Sequence, residues 1–252
     1  MLDFNSSKTF ADRVNGFIDL ALEEENKKQT PRDYLGGSRL GVECKRALQF
    51  EYLNTPKDEG RDFDGQLLRI FAAGHLFEDM AIKWLRAAGV ELYTEKKDGH
   101  QFGFSVAKGR IRGHVDGIIN AAPEELGMGF PALWECKSMN NKSWRKTQKD
   151  GVALAHPVYA GQIATYQAYM EGSVSGISNN PALFTAINKD TAELYHELVP
   201  FDCTLAQKLT DKAVMVLQAC DAGELLPRVS NTSTHHICKF CSWQDRCWGA
   251  NA

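Results

Sequence analysis

Two apolar stretches with strand-like alternation, one ending at Asp116 and the other running through Glu135-Cys136-Lys137, constrain this chain more than any other feature. In an extended strand residues i and i+2 share a face. A strand from Leu133 to Met139 therefore sets Glu135 and Lys137 side by side and turns Cys136 into the packed layer behind them. Arg110 to Asp116, with Ile111 and Val115 in it, reads as a neighbouring strand that brings the Asp116 carboxylate opposite Glu135. The competing reading is a solvated strand face with a cross-strand ion pair, because Glu-x-Lys is a frequent tripeptide.

Two carboxylates and one amine at this spacing suit metal-dependent phosphodiester cleavage. A hard cation such as Mg²⁺ takes oxygen ligands and keeps several waters, so Asp116, Glu135 and the backbone carbonyl of Cys136 form a sufficient protein set. Lys137 would orient or deprotonate the attacking water and offset charge growing on phosphorus.

Two helices add polar groups. Gln66 to Ala88 is rich in Leu, Ile, Phe and Ala and stops at Gly89. On it Gly74 and Glu78 are i and i+4, so the missing side chain at Gly74 leaves room beside the Glu78 carboxylate, which would complete the metal site. His75 is a competing ligand, turned about 100° round the helix from Gly74. Val158 to Met170 also has helical spacing, and Gln162 and Tyr166 share one of its faces, placed to bond a phosphate or a metal-bound water. Ordinary core packing of Tyr166 is the alternative.

In order, Gly74-x-x-x-Glu78, Gly113-x-x-Asp116, Glu135-x-Lys137 and Gln162-x-x-x-Tyr166 resemble the motifs of the PD-(D/E)xK nuclease superfamily, most closely its RecB-like branch, over roughly residues 40 to 250. Many members of that branch carry histidine where Glu78 falls. The resemblance implies an α/β, restriction-endonuclease-like fold, a mixed central sheet flanked by helices. It implies a DNA nuclease using Mg²⁺ or Mn²⁺, with Asp116 and Glu135 on the metal, Lys137 at the water, and Gln162 and Tyr166 positioning substrate. Exonuclease action on DNA ends is the expected form, since free-standing relatives of this size, many of them phage-encoded, process ends for recombination or replication. With no Gly-x-x-x-x-Gly-Lys-Ser/Thr motif in the chain, the expected activity has no ATP motor of its own. A catalytically idle DNA-binding or scaffold module is the alternative.

The cysteines carry a second signal. Cys238-x-x-Cys241 and Cys247 lie near the end of the sequence and Cys44 far upstream; four thiolates fill either a zinc site or an iron-sulfur cluster. One cysteine before the nuclease core and three after it is similar to the iron-sulfur staple of RecB-like nucleases. On that resemblance Cys44, Cys238, Cys241 and Cys247 hold a [4Fe-4S] cluster that joins the N- and C-terminal segments, zinc being the alternative. His235 and His236 read as a polar loop, and Cys136, Cys203 and Cys220 as small buried hydrophobes. Seven cysteines, an odd count, and no apolar leader in Met1 to Phe10 point to a reducing, cytoplasmic setting. No apolar run is long enough for a membrane span, so no membrane partner is expected.

The balance of 29 basic against 32 acidic residues is not that of a simple polyanion binder, so any DNA contact must be local. Lys142, Arg145, Lys146 and Lys149 cluster after the Glu-x-Lys strand with Trp144 among them for stacking on an unpaired base, or else form a solvated loop. Residues 1-60 read as an N-terminal helical segment, with an amphipathic helix from Asn5 to Lys28, 61-200 as the nuclease core, and 201-252 as a closing helix and cysteine-rich tail. Further partners would be recombination or replication proteins, and oligomers and monomers are both open.

Overall fold

Capping chemistry sets where the helices begin and end. In the computed structural model, which describes residues 9–249, α1 (Phe10–Lys27) starts at a reciprocal capping box between Thr9 and Asp12. The expected start of this helix at Asn5 lies outside the described residues. α2 (Lys45–Tyr52) follows Cys44 as its cap residue. α3 (Gly65–Ala87) is capped by Asp64, which accepts the Leu67 N–H at 2.7 Å. It stops before Gly89, whose φ of +88° is a left-handed conformation that costs glycine little. α4 (Asn141–Ala155) has no counterpart among the sequence-derived elements, although Asn140 caps it by accepting the Ser143 N–H at 2.9 Å. α5 (Pro157–Met170) opens on proline, and α6 (Cys203–Ala222) runs from the Asp202 cap to Gly223. Two short helices, α7 (His236–Lys239) and α8 (Gln244–Trp248), carry the cysteine-rich tail.

The strands form two sheets. β1 (Leu35–Gly36), β4 (Ile111–His114) and β3 (Gly103–Val106) make a small sheet in that order. The larger sheet runs β2 (Glu91–Tyr93), β5 (Gly117–Ala121), β6 (Ala132–Met139), β7 (Ala182–Asn188) and β8 (Leu194–Val199). In it β6 and β7 are parallel and every other pair is antiparallel. The parallel pair requires a long crossover, which α4 and α5 supply. The fold is thus a mixed sheet with helices.

The strand expected from Arg110 to Asp116 ends at His114: β4 belongs to the small sheet and β5, from Gly117, to the large one, and Val115 and Asp116 lie where the chain crosses. This division creates the feature on which the site is built. The last β5–β6 pair is Gly117 with Trp134, whereas β6 continues to Met139 paired only with β7. One edge of residues 135–139 is therefore left open as a notch.

β6 separates two cores. Leu133 and Met139 pack with Ile163, Tyr166, Phe184 and Leu209 on the α5 and α6 side. Ala132, Trp134 and Cys136 pack with Ala81, Ile119 and Leu183 on the α3 side. The alternation sends Glu135 toward α5 and Cys136 toward α3. Among the described residues no helix is long and apolar enough to cross a membrane.

Two glycines test this packing in opposite directions. A Cβ at Gly113 would lie 2.5 Å from Phe104 and 2.9 Å from Tyr166, so Gly113→Ala should lower unfolding stability by about 1–3 kcal/mol. Gly16, within α1, has nothing within 4 Å of such a Cβ. There Gly16→Ala should raise stability by about 1 kcal/mol. Urea unfolding of both variants reads the signs.

Candidate active site

Because β5 departs at Gly117, the N–H of Cys136 has no strand partner on that side, and Asp116 takes its place: Oδ2 accepts this N–H at 2.8 Å. The carboxylate is held at the mouth of the notch by the backbone it faces. Glu135, fully buried, points into the notch from β6. Its Oε1 accepts the Gln162 Nε2 donor of α5 at 2.6 Å and a short bond from Lys137 Nζ. The same ammonium donates to the Cys136 carbonyl at 3.1 Å and lies 3.9 Å from Asp116 Oδ2. A cation therefore already sits where Glu135, Cys136 and Asp116 offer oxygen.

Electrostatics explain why. Burial pushes the Glu135 carboxyl upward, the Asp116 charge adds to that, and Lys137 opposes both. Burial alone would lower the Lys137 amine, but Glu135 and Asp116 outweigh it and hold the ammonium well above its ordinary range. Lys137 is thus a protonated counter-ion in this state. Glu78, a quarter exposed on α3, is raised to about 7 by burial and then by Asp116, which places it in the same field. The Cys136 thiol is raised by burial, so its sulfur stays protonated and only its carbonyl is offered to the notch.

The residues present fit a divalent cation. Three oxygens already bond or face an ammonium, and Glu135 Oε2 is buried without a hydrogen-bond partner among the described residues. Asp116, Glu135 and the Cys136 carbonyl would hold the ion, with Glu78 nearby. Among the described residues, no three His, Cys, Asp or Glu side chains stand together as a finished metal cage.

Other expected residues fall elsewhere. His75 has a side chain 82% exposed, with Nδ1 4.0 Å from Glu78, so it faces solvent rather than the notch. Gly74 faces β6: a Cβ there would meet Ser138 Oγ at an ordinary 3.6 Å, so space beside Glu78 does not demand glycine. Gln162 and Tyr166 do share one face of α5, but both are buried. Gln162 is spent on Glu135, and the Tyr166 ring packs edge-on to Phe104, with centroids 5.3 Å apart, and bonds Ser38. Their expected contact with substrate is corrected accordingly: they act on the carboxylate and the packing behind it.

Trp144 is a second correction. It is 2% exposed and donates Nε1–H to the Ala186 carbonyl at 3.0 Å, so it is core and cannot stack on a base. Lys142, Arg145, Lys146 and Lys149 remain exposed, on helix α4 rather than in a loop, with Lys146 Nζ 3.1 Å from the Ala155 carbonyl. Cys203, read as a buried hydrophobe, is exposed at the start of α6. Sequence reasoning passed over Tyr159, whose ring centroid lies 5.6 Å from Lys137 Nζ. Its place at i−3 from Gln162 is the signal that would have found it.

At the far end of the molecule Cys44, Cys238, Cys241 and Cys247 line one small cavity, all four free of disulfides. Burial raises the Cys241 thiol, and the other three cysteines add to this. Arg46 Nη1 lies 3.3 Å from Cys247 Sγ, a donor of the kind that tunes a metal-bound sulfur. The four cysteines share this cavity without standing close enough, among the described residues, to form a ready metal cage. His235 and His236 stack on one another beside this tail, with centroids 4.4 Å apart.

No protein-family model matches the chain, and no curated sequence does. Among solved structures it is similar to an alkaline exonuclease, LHK-Exo, from Laribacter hongkongensis. The match has a TM-score of 0.50 and 14% identity over 77% of this chain and 90% of that one. The same enzyme in complex with dAMP gives 0.51 and 14% over 75% and 89%. The chain shares the fold of that exonuclease.

Proposed function

We propose that this protein is a divalent-metal-dependent deoxyribonuclease of the RecB-like kind that processes DNA ends. The observation that carries this reading is the seat at the β6 notch: an ammonium is held by Glu135 and the Cys136 carbonyl, within 4 Å of Asp116, while a second Glu135 oxygen has no partner among the described residues. Such a set of hard oxygens in a buried, negative corner suits Mg²⁺ or Mn²⁺. An exonuclease fold in the same chain supports it.

When bound, the ion would polarise a scissile phosphate and lower the pKa of an attacking water. Asp116 and Glu135 would hold it, Asp116 being aligned by the Cys136 N–H and Glu135 by Gln162. Gln162 is a positioning residue. Lys137, whose ammonium lies against the same oxygens, would orient or deprotonate the attacking water and offset charge on phosphorus. The half-buried Tyr159, whose ring lies 5.6 Å from Lys137 Nζ, borders the site.

The cysteine cavity is read as a [4Fe-4S] site holding the tail to the N-terminal segment, and recombination or replication proteins as the partners of such an activity. Many bonds already join these segments, among them Trp243 Nε1 to the Thr55 carbonyl at 2.9 Å and the Leu226 N–H to Gln49 Oε1 at 2.9 Å. On this reading the centre would add to those ties, a structural role.

Two measurements test these readings. End-labelled DNA with Mn²⁺ should be degraded by the wild type, and Lys137→Ala should lower the rate on the order of a hundredfold or more. Equal rates would remove the mechanism, and no cleavage by either protein would favour an idle DNA-binding module. Anaerobically purified protein should be brown, with broad visible absorption lost on reduction and in Cys241→Ser; a colourless preparation containing zinc would replace the cluster by that metal.

A further inference from the structure

The exposed face of α6 borders a groove of about 760 Å³, walled on its other side by the start of α2. Three ammonium groups line it: Lys45 at the first position of α2, and Lys208 and Lys212 one turn apart on α6. Their placement is built. Lys212 is half-buried and donates to the Val42 carbonyl at 2.8 Å, and Lys45 Nζ lies 3.1 Å from Met215 Sδ. Two carboxylates, Asp211 in the lining and Glu43 beside it, offset part of this charge. Asp211 accepts the Gln207 amide at 2.8 Å, and Glu43 reaches Lys212 only through its field. Like charges at i and i+4 destabilise one another. The Lys212 amine is accordingly pushed down to about 8, by burial first and then by Lys208 and Lys45, a repulsion that an anion would relieve.

A series of packed residues leads from the groove toward the candidate active site. Gly41, next to Val42, lies so close to α5 that a Cβ on it would stand 2.7 Å from the Cα of Val158. Val158 precedes Tyr159, whose ring faces the Lys137 ammonium. Groove and cation seat are thus linked by successive neighbours, Lys212 to Val42, Gly41 to Val158 and Tyr159 to Lys137. Resting on the nuclease reading above, we infer that Lys45, Lys208 and Lys212 form a phosphate track that grips the sugar-phosphate backbone of a nucleic-acid strand whose other part lies at the β6 notch. Such a track reads charge and not sequence. It also resolves the mismatch between a net acidic chain and a polyanionic substrate, because the cations needed are gathered locally.

The test is anisotropy of a short fluorescein-labelled single-stranded oligonucleotide in EDTA, titrated across a range of salt, with cleavage in Mn²⁺ read on the same preparations. The triple variant Lys45→Gln, Lys208→Gln, Lys212→Gln should bind tenfold or more weaker, and its log–log salt slope should fall by about two. Because Lys212 is partly buried, Lys208→Glu alone, at an exposed position, provides the control for folding and should weaken binding threefold or more. Unchanged affinity and slope in both variants would overturn the track while leaving cleavage, and so the nuclease reading, intact. Lysine-dependent binding by a wild type that does not cleave would keep the track and remove the nuclease. Absent oligonucleotide binding, or lysine-dependent binding of inorganic phosphate alone, would overturn it in favour of no site or a small-anion site.

Discussion

The rest of the structure depends on where β5 lets go of β6. Had the chain continued the ladder past Gly117, Asp116 would have paired through its backbone, and the edge of residues 135–139 would have been sealed. Crossing between sheets at Val115 and Asp116 leaves the Cys136 N–H for a side chain, and a carboxylate that accepts it lies beside a second, fully buried carboxylate. Two acids in one low-dielectric corner cannot both stay charged without a cation. Lys137 is that cation in the absence of metal, and its bonds to Glu135 and Cys136 describe the seat a divalent ion would take.

This arrangement is supported from behind. Gln162 fixes Glu135, and α5 can approach closely enough to do so because small residues face its partners: Gly37 and Gly113 lie against Tyr166, and Gly41 against Val158. The N-terminal segment that supplies Gly37 and Gly41 is tied in turn to the tail through Arg46, Gln49 and Trp243. The cysteine-lined cavity belongs to the same scaffold, since Cys44 caps α2 and Cys238, Cys241 and Cys247 lie in the tail.

Much of this was legible in the sequence for reasons that can be stated. β6 starts one residue before the Leu133 to Met139 run read as a strand, since strands buried on both faces leave a continuous signal. α3 and α5 follow from helical periodicity and end signals. What was illegible had a non-local cause. The division of residues 110–120 between two sheets depends on pairing with Leu35 and Gly36, far away in the chain. α4 was hidden by its polar face, and Trp144 was misread because an aromatic among lysines looks the same whether it points to solvent or into the core. The bond from Gln162 to Glu135 joins elements that only the packed fold brings together, so composition could name the pair but not their contact.

The central claim is that the acids of the notch hold a divalent ion. Anomalous diffraction from crystals soaked in Mn²⁺ measures this directly. The account predicts a peak bonded to Asp116, Glu135 and the Cys136 carbonyl, with the Lys137 ammonium withdrawn from Glu135. A notch in which Lys137 keeps its bonds and no peak appears at saturating Mn²⁺ would contradict it.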